Sequence, residues 1–122
     1  MKFSADLIDS PYLITAYEAG RIRLGEETLE HNLLLMPERL REPWPVQAIG
    51  ELTPEMLEQF IAHRPDVVLF GTGAQQQFPP PALFAPLMKA GIGHEVMSTA
   101  AACRTYNILM GEGRPVLAAL IL

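Results

Sequence analysis

Two short runs hold the residues whose types and spacing could do chemistry. They are Gly71-Thr72-Gly73, and Met97-Ser98-Thr99 leading into Cys103-Arg104-Thr105-Tyr106-Asn107. A glycine turn directly after an apolar strand can cradle an anion, because backbone N–H groups converge there and a helix N-terminus adds partial positive charge. No Gly-Lys-Ser/Thr follows this turn, and the third glycine of a dinucleotide fingerprint is absent. Prolines at 79–81 also delay the next helix. The alternative for the glycines is a tight turn at a strand end, where positive φ is needed.

Ser98-Thr99 reads first as a helix cap. If strands over 67–70 and 94–97 run parallel, the Gly71–Gly73 and Ser98–Thr99 segments emerge at one edge, where open α/β sheets bind ligands. Arg104 and Asn107 share a helix face. They can hold a carboxylate or a partner's backbone, or brace a neighbouring loop, and bracing is the commoner use of polar side chains. Glu95 and Glu112 are the acids placed to pair with Arg104. The candidate ligand or partner site is therefore Gly71, Thr72, Gly73, Glu95, Ser98, Thr99, Arg104 and Asn107. Gly71–Gly73 is expected beside Ser98–Thr99, with Arg104 within reach.

Cysteine nucleophiles need a nearby base and a lowered pKa. Of His31, His63 and His94, only His94 belongs to the same strand–helix unit as Cys103, and it sits at the far end of that strand from the helix start. Cys103 is instead expected beside Tyr106 and Met110 on the packed face, as a small apolar residue. Three scattered histidines and one cysteine suggest neither a metal site nor a disulfide. No catalytic residue and no cofactor is expected.

The elements that must position these residues follow from pattern. Thr53 caps, Pro54 suits the first helical position, and Met56, Leu57, Phe60 and Ile61 recur at helical spacing, giving a helix over 53–63. Val67–Phe70 is a short apolar run of the covered-strand type. Further helices are expected over 81–90 and 99–110, and strands over 94–97 and 116–121 in the same sheet. Upstream, Tyr12–Tyr17 and Arg21–Leu24 read as antiparallel strands around Ala19-Gly20. Glu27–Met36 contains a third strand ending in Leu33–Met36. Between Pro37 and Pro54, prolines impose an extended connection in which Trp44 covers a core edge.

The chain has 122 residues, 49% of them hydrophobic and 19% charged, which suits one globular domain over 1–122. A net charge of -5 without a basic cluster argues against nucleic acid. The first twenty residues carry Asp6, Asp9 and Glu18, so neither a secretory signal nor a spanning helix is expected there, and none is read elsewhere. The cytoplasm is the expected location.

A longer pattern joins these pieces. It runs through Gly71-Thr72-Gly73, Glu95-Val96-Met97-x-Thr99 and Arg104-Thr105-Tyr106-Asn107-x-Leu109, to Glu112-x-Arg114. Leu33, Leu35, Pro37, Trp44-Pro45 and Leu120 extend it across nearly the whole chain. It resembles domain of unknown function family four-nine-eight, which includes the mitochondrial respiratory complex I assembly factor three. The resemblance implies a compact three-layer α/β fold with mixed sheets, antiparallel N-terminal strands leading into strand–helix units. It implies no catalytic residue, and Ser98 stands where an aspartate is expected in the family.

Two functions follow. The first is a non-enzymatic accessory protein that binds another protein, in assembly of a respiratory or membrane complex. The second is a small-molecule or anion-binding domain, with enzyme activity included, using the edge formed by Gly71–Gly73 and Ser98–Thr99. A cleft of converging N–H groups faced by Arg104 would favour the second. A filled edge with Arg104 held by Glu95 or Glu112 would favour the first.

Overall fold

The computed structural model describes residues 10–122. Asp6 and Asp9, on which part of the leader expectation rests, lie outside the described residues. The chain is a mixed α/β fold with two sheets. Strands β1 (Ile14–Glu18), β2 (Arg21–Leu24) and β3 (Glu27–Leu29) form an antiparallel meander. Strands β4 (Leu33–Met36), β5 (Leu40–Pro43), β6 (Val67–Thr72), β7 (Gly93–Met97) and β8 (Val116–Ile121) form a second sheet in the order β5-β4-β8-β6-β7. In it β6 runs parallel to β7 and β8, whereas β4 runs antiparallel to β5 and β8.

The described residues also form three α-helices: α1 (Pro54–Ile61), α2 (Ala85–Lys89) and α3 (Thr99–Gly111). The β6-to-β7 and β7-to-β8 connections move in opposite directions along the sheet. Crossovers of one hand must then lie on opposite faces. Accordingly α2 packs with α1 on one face and α3 covers the other.

Side-chain alternation along the strands builds both cores. Val68, Phe70, Leu117, Ala119 and Ile121 face Trp44, Leu57, Phe60, Phe84 and Leu87. Leu69, Val116, Ala118 and Leu120 face Ile14, Ile22 and Leu24 of the meander, and Ala102, Cys103, Tyr106 and Met110 of α3. Three layers result, with β8 buried along its whole length in the middle one.

The expected later elements form, with altered ends. Thr53 caps α1 through the Met56 N–H at 3.3 Å, and Val116–Ile121 is a strand over the range expected. The helix expected over 81–90 begins as a 3-10 turn, Pro81–Phe84, before α2. Gly71 and Thr72 belong to β6 rather than to a loop.

Two upstream expectations need correction. Glu27–Met36 holds two strands, β3 and β4, in different sheets. Asn32 makes the break: its Nδ2 donates to the Val46 carbonyl at 2.6 Å and its Oδ1 accepts the Leu122 N–H at 2.7 Å. These bonds draw the backbone toward the second sheet. The Pro37–Pro54 connection contains β5, because Glu38 adopts φ 61° and closes a tight turn after β4. Trp44 is buried, as expected, and leans toward Phe60 with ring centroids 6.2 Å apart.

Candidate functional site

Parallel pairing of β6 with β7 places Gly71 level with Met97, so the chain leaves both strands at one edge. The two segments there are bonded to each other. Thr99 N–H donates to the Gly73 carbonyl at 2.9 Å, and Gly73 N–H donates to Thr99 Oγ1 at 2.8 Å. That hydroxyl in turn donates to the Ile121 carbonyl at 2.5 Å. Thr99 is fully buried, and this one side chain ties β6, α3 and β8 together.

Gly71 is required by the same closeness. A Cβ there would sit 2.8 Å from Thr99 Oγ1 and 3.1 Å from Thr99 Cα. Gly73 adopts φ 98°, open to glycine and costly for other residues. Ser98 Oγ accepts the Ala101 N–H at 3.3 Å and caps α3. Thr72 Oγ1 donates to the Gln75 carbonyl at 2.7 Å, with the Met97 carbonyl 3.2 Å away, and accepts the Gln77 N–H at 3.2 Å. The edge is filled by the protein's own groups. Among the described residues no buried side-chain polar atom lacks a partner.

Arg104 lies elsewhere. It is five residues beyond Thr99, about 140° around the helix, so when Thr99 faces the sheet Arg104 faces out. Rather than reaching the junction, it lines a groove of about 230 Å³ between β1 and α3, with Thr15, Tyr17, Ala100, Cys103 and Asn107. The expected pairing with Glu95 or Glu112 does not form. Ion pairs among the described residues join Arg21 to Glu18 and Glu30, Arg41 to Glu27, and Arg114 to Asp66. Glu95 is exposed on β7, beside Leu69, and Glu112 is exposed at the C-terminal end of α3.

Asn107 braces backbone. Its Oδ1 accepts the Ile14 N–H at 3.0 Å and its Nδ2 donates to the Ile14 carbonyl at 2.7 Å, so the amide pairs with β1 as a strand would. The β1–β2 register slips beside this clamp, between Ile14 and Ala16. Tyr106 adds a bond from its hydroxyl to the Tyr12 carbonyl at 2.9 Å.

Cys103 is buried in the Tyr106 core, and burial pushes its thiol up to about 12, against a smaller downward pull from Arg104. Burial also raises Tyr106 and Tyr17; Cys103 adds to the rise at Tyr17 and the Thr99 hydroxyl opposes it. His94 stacks on Phe84 at 4.4 Å, on the sheet face opposite Cys103, so it is no base for Cys103. Among the described residues no three His, Cys, Asp or Glu side chains converge as metal ligands.

Sequence reasoning passed over Phe78, which is 79% exposed on the loop after Gly73, where Gln76 Nε2 donates to the Val96 carbonyl at 2.8 Å. The available signal was an aromatic residue followed by three prolines.

The fold and edge are those of a three-layer α/β domain whose strand edge is bonded internally. Residues 14–121 match the family described as protein of unknown function (DUF498/DUF598), and the chain belongs to that family. The crystal structure of a Bordetella parapertussis protein is 40% identical, covering 91% of this chain and 95% of that one, with a TM-score of 0.83. A Francisella tularensis protein named "13 kDa major membrane protein" is 30% identical over 95% of each chain. A Drosophila melanogaster protein named "NADH dehydrogenase [ubiquinone] 1 alpha subcomplex assembly factor 3" is 30% identical over 93% of this chain and 60% of its own length. Among the described residues no helix is long and apolar enough to cross a membrane.

Proposed function

We propose that this chain is a non-enzymatic accessory protein that binds a protein partner during assembly of a respiratory or other membrane complex, working from the cytoplasmic side. The observation that carries this reading is the likeness to the assembly factor over 93% of the chain. The filled edge supports it. An anion cradle needs unspent N–H donors, and the Gly73 and Thr99 donors are used within the fold. Small-molecule chemistry at Gly71–Gly73 and Ser98–Thr99 is therefore the less supported of the two functions.

Deletion of the gene tests the reading. Membranes from the deletion strain, resolved on native gels and stained for NADH dehydrogenase activity, should contain less of the assembled complex. Supplying the chain from a plasmid should restore it. Assembled complex at its normal level in the deletion strain would sink the proposal.

A further inference from the structure

The Thr72 hydroxyl grips the loop that follows β6 at Gln75 and Gln77, and the Gln76 side chain ties it to β7. Directly after these anchors the chain projects Phe78, the most exposed of the large hydrophobic residues described. Pro79 and Pro80 come next, Pro80 with φ −57° and ψ 133°, near polyproline II geometry, before Pro81 opens the 3-10 turn. A large apolar side chain is thus held in water on a stretch of backbone that has little freedom left to lose.

We propose that Phe78–Pro80 is a preformed docking element whose aromatic ring and short proline ridge enter an aromatic-lined groove on a partner protein. The inference rests on the protein-partner reading above and names the surface that would carry it. Chemistry selects the occupant. Three consecutive prolines offer no N–H donors, so a partner strand cannot pair along this segment. No charged residue occurs between Asp66 and Lys89, which leaves nothing to hold phosphates or anionic headgroups. Among the described residues a second copy is poorly suited, because its aromatic rings other than Phe78 are buried (Trp44, Phe60, Phe70, Phe84, Tyr106) or pack against the inner core (Tyr12, Tyr17). What remains is the recognition mode in which aromatic side chains take a polyproline II ridge.

The test places the photo-cross-linking residue p-benzoylphenylalanine at position 78, in cells where this chain replaces the native copy. Cross-linked products are mapped by mass spectrometry. The expected product joins position 78 to one protein, within a groove lined by Trp, Tyr or Phe. With that protein purified, Phe78→Ala should weaken binding about tenfold or more. Pro79→Ala with Pro80→Ala should weaken it less, and all variants should keep the parent's melting temperature. Binding should change less than about twofold between roughly 50 and 500 mM salt, since the segment carries no charge.

Cross-links to lipid, to a second copy or to a strand edge would overturn the proposal, as would no cross-link or undiminished binding by Phe78→Ala. Full rescue of the deletion strain by Phe78→Ala would remove this docking role and leave the assembly role standing. A mapped aromatic groove, in a strain whose respiratory complex assembles without the chain, would do the reverse.

Discussion

The junction of Gly71–Gly73 with Ser98–Thr99 and the loop from Gln75 to Pro81 adjoin in sequence and differ in what they do with their atoms. In the junction the Gly73 and Thr99 N–H donors meet protein acceptors, and the Thr99 hydroxyl serves two backbones at once. In the loop one polar side chain, that of Gln76, ties the backbone to β7, and the apolar Phe78 side chain is left in water. Glycine and threonine at a strand end therefore have two physical explanations, approach of a ligand or approach of the protein's own backbone. Here the nearest neighbour of Gly71 is Thr99 itself.

The sharpest break in this contrast is Thr99→Val, which keeps the shape and removes the hydroxyl. The Gly73 N–H and Ile121 carbonyl lose their partner in a buried setting, at about 1–3 kcal/mol for each stranded group. Chemical denaturation should show a loss of roughly 2–6 kcal/mol. A loss below about 0.5 kcal/mol, the size of an ordinary surface change, would mean that the junction is looser than described.

Gly71→Ala should cost about 1–3 kcal/mol through overpacking. Thr99 Oγ1 cannot swing away from the new methyl without giving up both of its bonds, and Thr99 Cα is backbone. The denaturation midpoint reads this directly. An unchanged midpoint would show that the two segments can separate without loss.

Cys103 adds a test by pH. Its thiol is raised from 9.0 to about 12 by burial, so between those values the unfolded chain loses a proton that the folded chain keeps. Its contribution to stability is fully present below pH 9 and falls as pH rises, by at most about 1.4 kcal/mol per pH unit. Cys103→Ala should flatten the alkaline fall that begins near pH 9. An unchanged slope would place the thiol in water.

Phe78→Ala should have the smallest effect on folding, within about 0.5 kcal/mol, because the ring has little packing to lose. A larger loss would show that the loop belongs to the core instead of facing a partner.

Much of the second half of the fold was legible, because caps, prolines and apolar runs there agree with tertiary packing. Thr53, Ser98 and the run Val116–Ile121 show this most clearly. The division of Glu27–Met36 was not, since it depends on Asn32 reaching Val46 and Leu122, bonds that no local pattern announces. The site was legible as a meeting of two segments. Its internal saturation was hidden, because the acceptor of the Thr99 hydroxyl comes from β8, on a third segment. Arg104 was placed near the junction by closeness in sequence, and the helical turn carries it to the β1 side.

The most direct measurement follows the backbone amides of Gly73 and Thr99 by NMR while phosphate, and then a nucleotide, is added. If the junction is scaffold, both amides exchange slowly with solvent and neither resonance moves, because their protons already lie on Thr99 Oγ1 and the Gly73 carbonyl. A saturable shift of both resonances on adding phosphate would show that the edge opens to an anion, and would return it to the list of binding sites.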